Sequence, residues 1–254
     1  MLEDYDFRAQ RLHVTDDLAP AGTIGLSREQ ANYLINVLRL TDGAKIHVFN
    51  GRDGEWRAHL RREGKRQAHL EVEAQIRLQT AGPDIHYLFA PLKRARLDYV
   101  VQKATEMGVA RLVPVITRHT VAERVNTDRM RANVIEAAEQ CGILRIPDVA
   151  APRPLDNLLH DWPAGRRLIF CDEAAPDRDP LRTLSGLSPG PLAVLIGPEG
   201  GFAPPERERL IALDGAVRLA LGPRIMRADT AAVAALALVN AVLGDWRLAA
   251  PRET

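Results

Sequence analysis

Two loops rich in glycine and proline contain the residues of this chain that are best suited to bind a ligand. The first, Gly197 to Phe202, follows an apolar run that ends at Ile196, and the second, Gly222 to Asp229, follows the apolar run from Val217 to Leu221. Glycine lets the backbone approach a ligand closely and adopt positive φ. In open α/β sheets, ligands bind beyond the carboxyl ends of the strands. We therefore expect both loops to lie at one edge of a sheet and to form a ligand site.

The usual nucleotide-binding motifs are absent from these loops. No Gly-x-Gly-x-x-Gly follows a strand, and the first loop contains neither Lys nor Ser/Thr, so neither a dinucleotide site nor a P-loop is supported. Each loop alone could be a tight turn, because glycine and proline punctuate loops generally. Two such loops in matched contexts are less expected by chance, and we favour a ligand site.

The composition bounds the class of protein. The 254 residues, 46% hydrophobic and 26% charged, are typical of a globular protein with one large or two modest domains. The net charge of +1 means that any positive charge for nucleic acid must be clustered. Cys141 and Cys171 are the only cysteines, and the histidines are scattered, so we expect no disulfide framework and no metal. The acidic N-terminus and the short apolar stretch Ala231 to Leu243 favour a cytoplasmic protein.

The patterning divides the chain into two parts. Residues 1 to 76 contain short strands and turns, with a capping box from Ser27 to Gln30, which predicts a small β-barrel. Residues 84 to 254 alternate strands with helices, which predicts an α/β domain with a mainly parallel sheet. Leu78 to Asp84 is the expected linker. Asp229 or Thr230 is the expected N-cap of the last helix.

The two loops resemble the cofactor motifs of the SPOUT (trefoil-knotted) RNA methyltransferases. Within them, Leu195 to Phe202 and Leu221 to Arg227 are most similar to the RsmE family, which methylates N3 of a uridine in small-subunit ribosomal RNA. The second motif of that family usually runs Leu-Arg-Thr-Glu-Thr-Ala, whereas this chain has Met226-Arg227-Ala228-Asp229-Thr230-Ala231. The alanine at 228 lacks the hydroxyl of the usual threonine.

The resemblance covers nearly the whole chain. Gln102 to Val109 is similar to a further pattern of the family, and Tyr33 to Val48 resembles its PUA-like RNA-binding domain. The resemblance implies a SPOUT trefoil-knot methyltransferase domain at 84–254 and a PUA-like β-barrel domain at 1–76. It implies S-adenosyl-L-methionine as the cofactor, 16S rRNA in the decoding region of the 30S subunit as the substrate, and a homodimer.

The resemblance also assigns candidate site residues. The cofactor candidates are Leu195, Ile196, Gly197, Glu199, Gly200, Gly201, Leu221, Gly222, Ile225, Met226, Thr230 and Ala231. The catalytic candidate is Arg227, with Arg224 as the runner-up, because a guanidinium stays protonated and can stabilise a developing anion but cannot act as a base. The RNA-binding candidates are Arg8, Arg11, Arg39, Lys93 and Arg94.

Several alternatives stay open on sequence grounds. The chain could be an RNA-binding module without turnover, a SPOUT methyltransferase for another RNA, or an unrelated α/β enzyme that binds a phosphate. The intact glycines favour an active methyltransferase. Glu199 could cap a turn, or it could order the cofactor's amino group or a loop arginine. Lys93, Arg94 and Arg96 could form a solvated turn or contact phosphates.

Overall fold

The computed structural model describes residues 8–64, 67–122 and 124–247. The chain forms two compact units. The first unit comprises residues 1–81 together with 138–146, and the second comprises 82–137 and 147–254. The division after residue 81 falls within the expected linker, whereas nothing in the sequence pattern indicated that 138–146 would join the first unit.

The first unit contains a five-stranded mixed sheet with the strand order β1-β3-β4-β5-β2. Strand β1 is parallel to β3, and the remaining pairs are antiparallel. Side chains alternate between the two faces of a strand, and β4 buries Trp56, Ala58 and Leu60 on its inner face. The strands are β1 (Gln10–His13), β2 (Thr23–Gly25), β3 (Lys45–Phe49), β4 (Glu55–Glu63) and β5 (Gln67–Arg77).

A short helix, α1 (Arg28–Asn32), begins at the predicted capping box, in which the side chains of Ser27 and Gln30 each accept the other residue's backbone N–H. It continues as a π-helix over Tyr33–Val37. The chain then leaves the helix at Arg39, whose φ of +56° is in the left-handed region that residues other than glycine seldom occupy.

The second unit contains a seven-stranded parallel sheet with the order β12-β10-β11-β6-β7-β8, in which β9 also pairs with β7. Every residue of β11 is buried, which is typical of a parallel strand covered by helices on both faces. The strands are β6 (Ile85–Phe89), β7 (Arg111–Ile116), β8 (Asp148–Val149), β9 (Arg153–Pro154), β10 (Arg167–Cys171), β11 (Leu192–Ile196) and β12 (Val217–Leu219).

The helices of the second unit connect these strands. They are α2 (Arg94–Glu106), α3 (Thr127–Cys141, assigned to the first unit from Ala138 onwards), α4 (Leu155–His160), α5 (Pro180–Ser185), α6 (Pro204–Ala212) and α7 (Ala228–Val242). In the described part of the chain, no helix has both the length and the apolar character needed to cross a bilayer.

Candidate functional site

The parallel sheet brings the two glycine loops to the same edge. The first loop leaves β11 and the second leaves β12, and the end of β10 lies between them in the strand order. The loops that follow β6 and β7 emerge on the other side of β11. The expected grouping of the two loops at the carboxyl ends of the strands is confirmed, and it creates the position where open α/β sheets bind ligands.

Glycine is required at two positions of the first loop for different structural reasons. A Cβ at Gly197 would lie 2.9 Å from the ring of Phe202, so this position is kept small by the packing of that aromatic side chain. Gly201 has φ of +68°, and its N–H donates to the carbonyl of Pro198 at 2.9 Å to close a turn. At Gly201, the left-handed backbone rather than crowding requires glycine, because a Cβ there would have no neighbour closer than 4.0 Å.

The backbone of the second loop is available for hydrogen bonds to a ligand. Gly222 has φ of +91°, and within the described residues no protein group accepts a hydrogen bond from the amides of Gly222, Arg224, Ile225 or Met226. The side chain of Ile225 is 97% exposed. A loop with uncommitted amides and a left-handed glycine is suited to hold a polar small molecule by main-chain hydrogen bonds.

The start of helix α7 differs from the prediction. The N-cap is Arg227, with an extended backbone (φ −65°, ψ 152°) and no side-chain capping bond, and the helix begins at Ala228. The expectation that Asp229 or Thr230 is the N-cap is therefore wrong. Asp229 instead lies in the first turn, where its carboxylate accepts the N–H of Thr230 at 2.9 Å.

Both catalytic candidates lie exposed beside the loop. Arg224 and Arg227 are on the solvent side of the second loop, and within the described part of the chain neither guanidinium has an ion-pair partner. Of the remaining cofactor candidates, Leu195 and Ile196 are buried at the end of β11, Ala231 is buried in α7, Leu221 and Met226 are half-buried, and Gly200 and Thr230 are exposed.

Arg96 connects the two loops electrostatically. It lies in the first turn of α2, and its Nη1 donates to Glu199 Oε1 at 2.7 Å while its Nε lies 3.9 Å from Asp229 Oδ2. Glu199 belongs to the first loop and Asp229 to the start of α7, so one arginine contacts both. Such half-exposed pairs contribute at most about 1 kcal/mol, and the pair therefore bears on loop position more than on stability. Among the alternatives for Glu199, the structure shows pairing with an arginine.

A cleft of about 460 Å³ adjoins this ion pair. Lys93 and Arg94 are exposed at its rim, and Arg94 begins α2, so the predicted basic turn is the N-cap and first turn of a helix. Val121, 58% exposed, supplies an apolar wall. The lining residues are Lys93, Arg94, Ala95, Arg96, Val121 and Glu199.

Asp172 anchors the end of β10 between the two loops. It is 5% exposed and accepts hydrogen bonds from Arg207 at 3.0 Å and from Arg218 at 2.7 Å. Burial by itself would raise the pKa of this carboxyl, but the hydrogen bonds from the two arginines outweigh it and the pKa is lowered. Burial also raises the pKa of the neighbouring Cys171 thiol to about 12, so this thiol is no nucleophile at neutral pH.

The RNA-binding expectation for Arg11 is corrected by the structure. Arg11 is 7% exposed, and its Nε donates to Glu55, which is fully buried, at 2.5 Å. Its Nη atoms donate to the carbonyls of Ala138, Glu139 and Ile143. The guanidinium thus binds the carboxyl end of α3 within the first unit, where terminal helix carbonyls lack intrahelical partners, and it is not available to a phosphate.

The other basic candidates of the first unit are on the surface. Arg8 and Arg39 are exposed, and the exposed side chains of Tyr33 and Val37 precede Arg39 in the chain. The charged run 61–66 reads in the sequence as a turn, but strand β4 extends to Glu63, so Arg61 and Arg62 belong to a strand. Lys65 and Arg66 lie outside the described residues. Within the described ranges, no group of three His, Cys, Asp or Glu side chains could hold a metal ion.

Comparison with known proteins places the chain in a family. A family model of RNA methyltransferase domains matches residues 80–240, and one of RNA methyltransferase PUA domains matches residues 26–73. The ribosomal RNA small subunit methyltransferase E of Synechocystis sp. is 30% identical over 240 residues, covering 92% of this chain and 78% of the relative. That of Rickettsia conorii is 29% identical over 232 residues, covering 91% of this chain and 94% of the relative.

Solved structures agree with these matches. A Legionella pneumophila protein described as a methyltransferase, in complex with the bound cofactor SAM, has a TM-score of 0.82 at 29% identity and covers 94% of this chain and 99% of its own. The ribosomal RNA small subunit methyltransferase E of Neisseria gonorrhoeae, bound to S-adenosyl methionine, has a TM-score of 0.83 at 24% identity, which bears on the fold alone, and covers 94% of this chain and 100% of its own.

The two units together define an RNA methyltransferase with a SPOUT α/β domain and a PUA-like domain, and the predicted fold class is confirmed. The chain belongs to the ribosomal RNA small subunit methyltransferase E family.

Proposed function

We propose that this protein uses S-adenosyl-L-methionine to methylate N3 of a uridine in 16S rRNA, in the decoding region of an assembled 30S subunit. The observation that carries the proposal is the pairing of two glycine-containing loops at one sheet edge with an exposed arginine, Arg227, at the start of α7. The names of the relatives support the class of RNA. This substrate implies a cytoplasmic location.

The loops fit the cofactor by their chemistry. Gly201 and Gly222 have left-handed backbones, and the uncommitted amides of the second loop can donate to an adenine or a carboxylate. The buried ends of β11 and α7, at Ile196 and Ala231, give the loops a rigid base. When bound, S-adenosyl-L-methionine supplies an electrophilic methyl group.

The chemistry of N3 defines what the protein has to supply. The N3 lone pair of uracil is tied up in the imide, so the N3 proton has to leave before or during methylation, and negative charge develops on O2 and O4. Arg227 cannot take that proton, because a guanidinium stays protonated. It can donate hydrogen bonds to the developing anion, which is stabilisation of the oxyanion-hole type. Arg224, three residues earlier and also exposed, is the second candidate.

The target base has to be accessible to this site. N3 is a pairing atom in duplex RNA, so the uridine is unpaired or flipped when it reacts. The cleft beside the first loop presents Lys93 and Arg94, which suit the flanking phosphates, around an apolar wall at Val121. Both cations lie on the same unit as the two loops.

The first unit supplies a second RNA contact, centred on Arg39. Its left-handed φ of +56° is a strained conformation for arginine, and such strain persists where the surrounding structure enforces it, often at binding sites. Tyr33, 39% exposed, offers a ring on which a base can stack. Arg8 adds an exposed cation in the same unit.

A homodimer completes the proposal. Helix α7 buries seven residues within its own unit, yet apolar side chains remain partly uncovered at Val233, Ala234, Ala237 and Leu238. Three of them, spaced 234, 237 and 238, lie on one face of the helix. We assign this half-covered stripe to the contact with a second copy.

The test is single-turnover methyl transfer to 30S particles from cells that lack the modification, with Arg227→Ala against the wild type. Removing one such donor is expected to lower the rate by about 10²-fold or more while leaving cofactor affinity unchanged. Arg209→Ala is the matched control, because Arg209 lies in the last turn of α6 and pairs with Asp156 at the surface. A wild-type rate for Arg227→Ala would remove this residue from the chemistry.

A further inference from the structure

A third loop, residues 117–120 after β7, is built as a closed turn. The backbone N–H of Thr117 donates to Thr120 Oγ1 at 2.8 Å, and the N–H of Thr120 donates to the carbonyl of Thr117 at 3.1 Å. The two hydroxyl oxygens are 2.9 Å apart and share a further hydrogen bond. Three bonds within four residues fix the backbone of the turn, from which Arg118 and His119 project.

This turn holds the first glycine loop at two points. His119 Nδ1 lies 3.0 Å from the carbonyl oxygen of Gly201. The N–H of Arg118 donates to Glu206 Oε1 at 2.8 Å, and the other carboxylate oxygen of Glu206 accepts the N–H of Ala203, at the end of the loop, at 2.9 Å. The loop that follows β7 therefore supports both the middle and the end of the glycine loop.

The contact of His119 has a defined polarity. A carbonyl oxygen can only accept, so Nδ1 carries the hydrogen in this bond. Gly201 has a left-handed backbone with φ of +68°, and as a glycine it could also adopt negative φ, so its conformation has to be held by other contacts. Its N–H is already held by Pro198, and its carbonyl is held by His119. Since each peptide is planar, these two bonds fix both peptide planes beside Gly201, including the amide of Phe202.

We propose that His119 is a positioning residue, whose Nδ1–H holds the glycine loop in the conformation that binds the cofactor. The inference rests on the proposed function, since the loop is assigned there to S-adenosyl-L-methionine. His119 acts through the carbonyl of Gly201, and the Arg118–Glu206 bond keeps the turn in register with the loop. Without the donor, Gly201 regains its freedom, and part of the binding energy is lost in ordering the loop.

The test compares His119→Asn with His119→Asp in the full-length protein. Asparagine places an N–H donor at the position of Nδ1, and aspartate places an oxygen acceptor there, so the two variants differ in the one property the proposal needs. Titration calorimetry measures the Kd for S-adenosyl-L-methionine. We expect His119→Asn to stay within about twofold of the wild type and His119→Asp to bind about 10-fold more weakly or worse, with His119→Ala between them at about 3- to 10-fold.

A control and a second readout separate positioning from general damage. His160→Asp adds the same charge at an exposed histidine at the end of α4 and should leave the Kd unchanged. In steady-state transfer to 30S particles, His119→Asp should raise the KM for the cofactor with little change in kcat, and His119→Asn should restore it. If the wild type binds the cofactor and the Asn and Asp variants bind it with equal affinity, the positioning role of His119 is wrong, while the proposed function stands. A wild type that does not bind the cofactor would overturn the proposed function and the inference together.

Discussion

The assignment of Arg11 to the interior of the first unit makes a quantitative prediction. In Arg11→Met, the buried carboxylate of Glu55 loses its bond to Arg11 but keeps the one that Arg77 donates at 3.0 Å. Three carbonyls near the end of α3 lose their donor as well. Breaking a buried pair costs about 3–5 kcal/mol, and because Arg77 remains we expect the lower end, about 3 kcal/mol. For a chain of this size, that lowers Tm by roughly 6–12 °C.

Scanning calorimetry and RNA binding together test this reasoning. Arg11→Met should lower the Tm of the protein, whereas Arg39→Ala should leave it unchanged, because Arg39 is exposed. The two variants should show the opposite ranking in their affinity for a 16S rRNA fragment at fixed salt, where Arg39→Ala should bind more weakly than Arg11→Met. An Arg11→Met variant that keeps its stability but loses RNA affinity would show that Arg11 contacts RNA after all.

Three further predictions follow from the site. Gly201→Val should weaken the Kd for S-adenosyl-L-methionine by at least about 10-fold, since a branched side chain at φ of +68° is strained; Gly215→Val, at φ of +72° after α6, carries the same strain and should not affect the Kd in calorimetry. Asp172→Asn should lower the free energy of unfolding by about 1.5–3 kcal/mol at pH 7. The pKa of Asp172 is lower in the folded protein than in the unfolded chain, so its carboxylate stabilises the fold above the unfolded-state pKa. This stabilisation is lost as the pH falls through the folded-state pKa. The free energies of unfolding of variant and wild type, measured by urea titration, should therefore differ at neutral pH and converge in acid. Leu238→Glu should be a monomer by light scattering at micromolar concentration. The control Ala212→Glu, on the exposed face of α6, should remain a dimer. A dimeric Leu238→Glu variant would show that the interface lies elsewhere.

Asn240 and Ala235 show why the choice of variant depends on the structure. From sequence alone, any residue of the apolar helix could face a partner. Both are fully buried within the second unit, and Asn240 Nδ2 donates to the carbonyl of Met107 at the end of α2 at 2.8 Å. A charge at either position would destabilise the fold of the monomer, so a loss of dimer in such a variant would not identify the interface.

The parts of the fold that local pattern specifies could be predicted from the sequence. The capping box at Ser27 and the apolar run that forms β11 are each set by neighbouring residues. The grouping of the two glycine loops also followed, because parallel strands that end in loops present them at one edge. The resemblance of the loops to known motifs then supplied the family.

The contacts between distant residues could not be predicted. Arg96 and Glu199 are 103 positions apart, and nothing local marks them as partners. A buried arginine such as Arg11 has no sequence signature that distinguishes it from a surface one. Segment 138–146 comprises the last turn of α3 and the residues that follow it, and no local pattern links it to the first unit. Removal of residues 1–76 would therefore leave this segment without its partners. The N-cap of α7 could not be predicted because Arg227 occupies that position by its extended backbone, without the side-chain hydrogen bond that marks a typical N-cap residue.

The most direct test of the proposed function is to detect the modification itself. Small subunits from cells that lack this activity are incubated with the purified protein and S-adenosyl-L-methionine, and the 16S rRNA is digested and analysed by mass spectrometry of nucleosides and fragments. We predict that the wild type forms 3-methyluridine at a single position in the decoding region, and that Arg227→Ala lowers the rate by about 10²-fold. Methyl groups on another base or atom, or none at all from a protein that binds the cofactor, would contradict it.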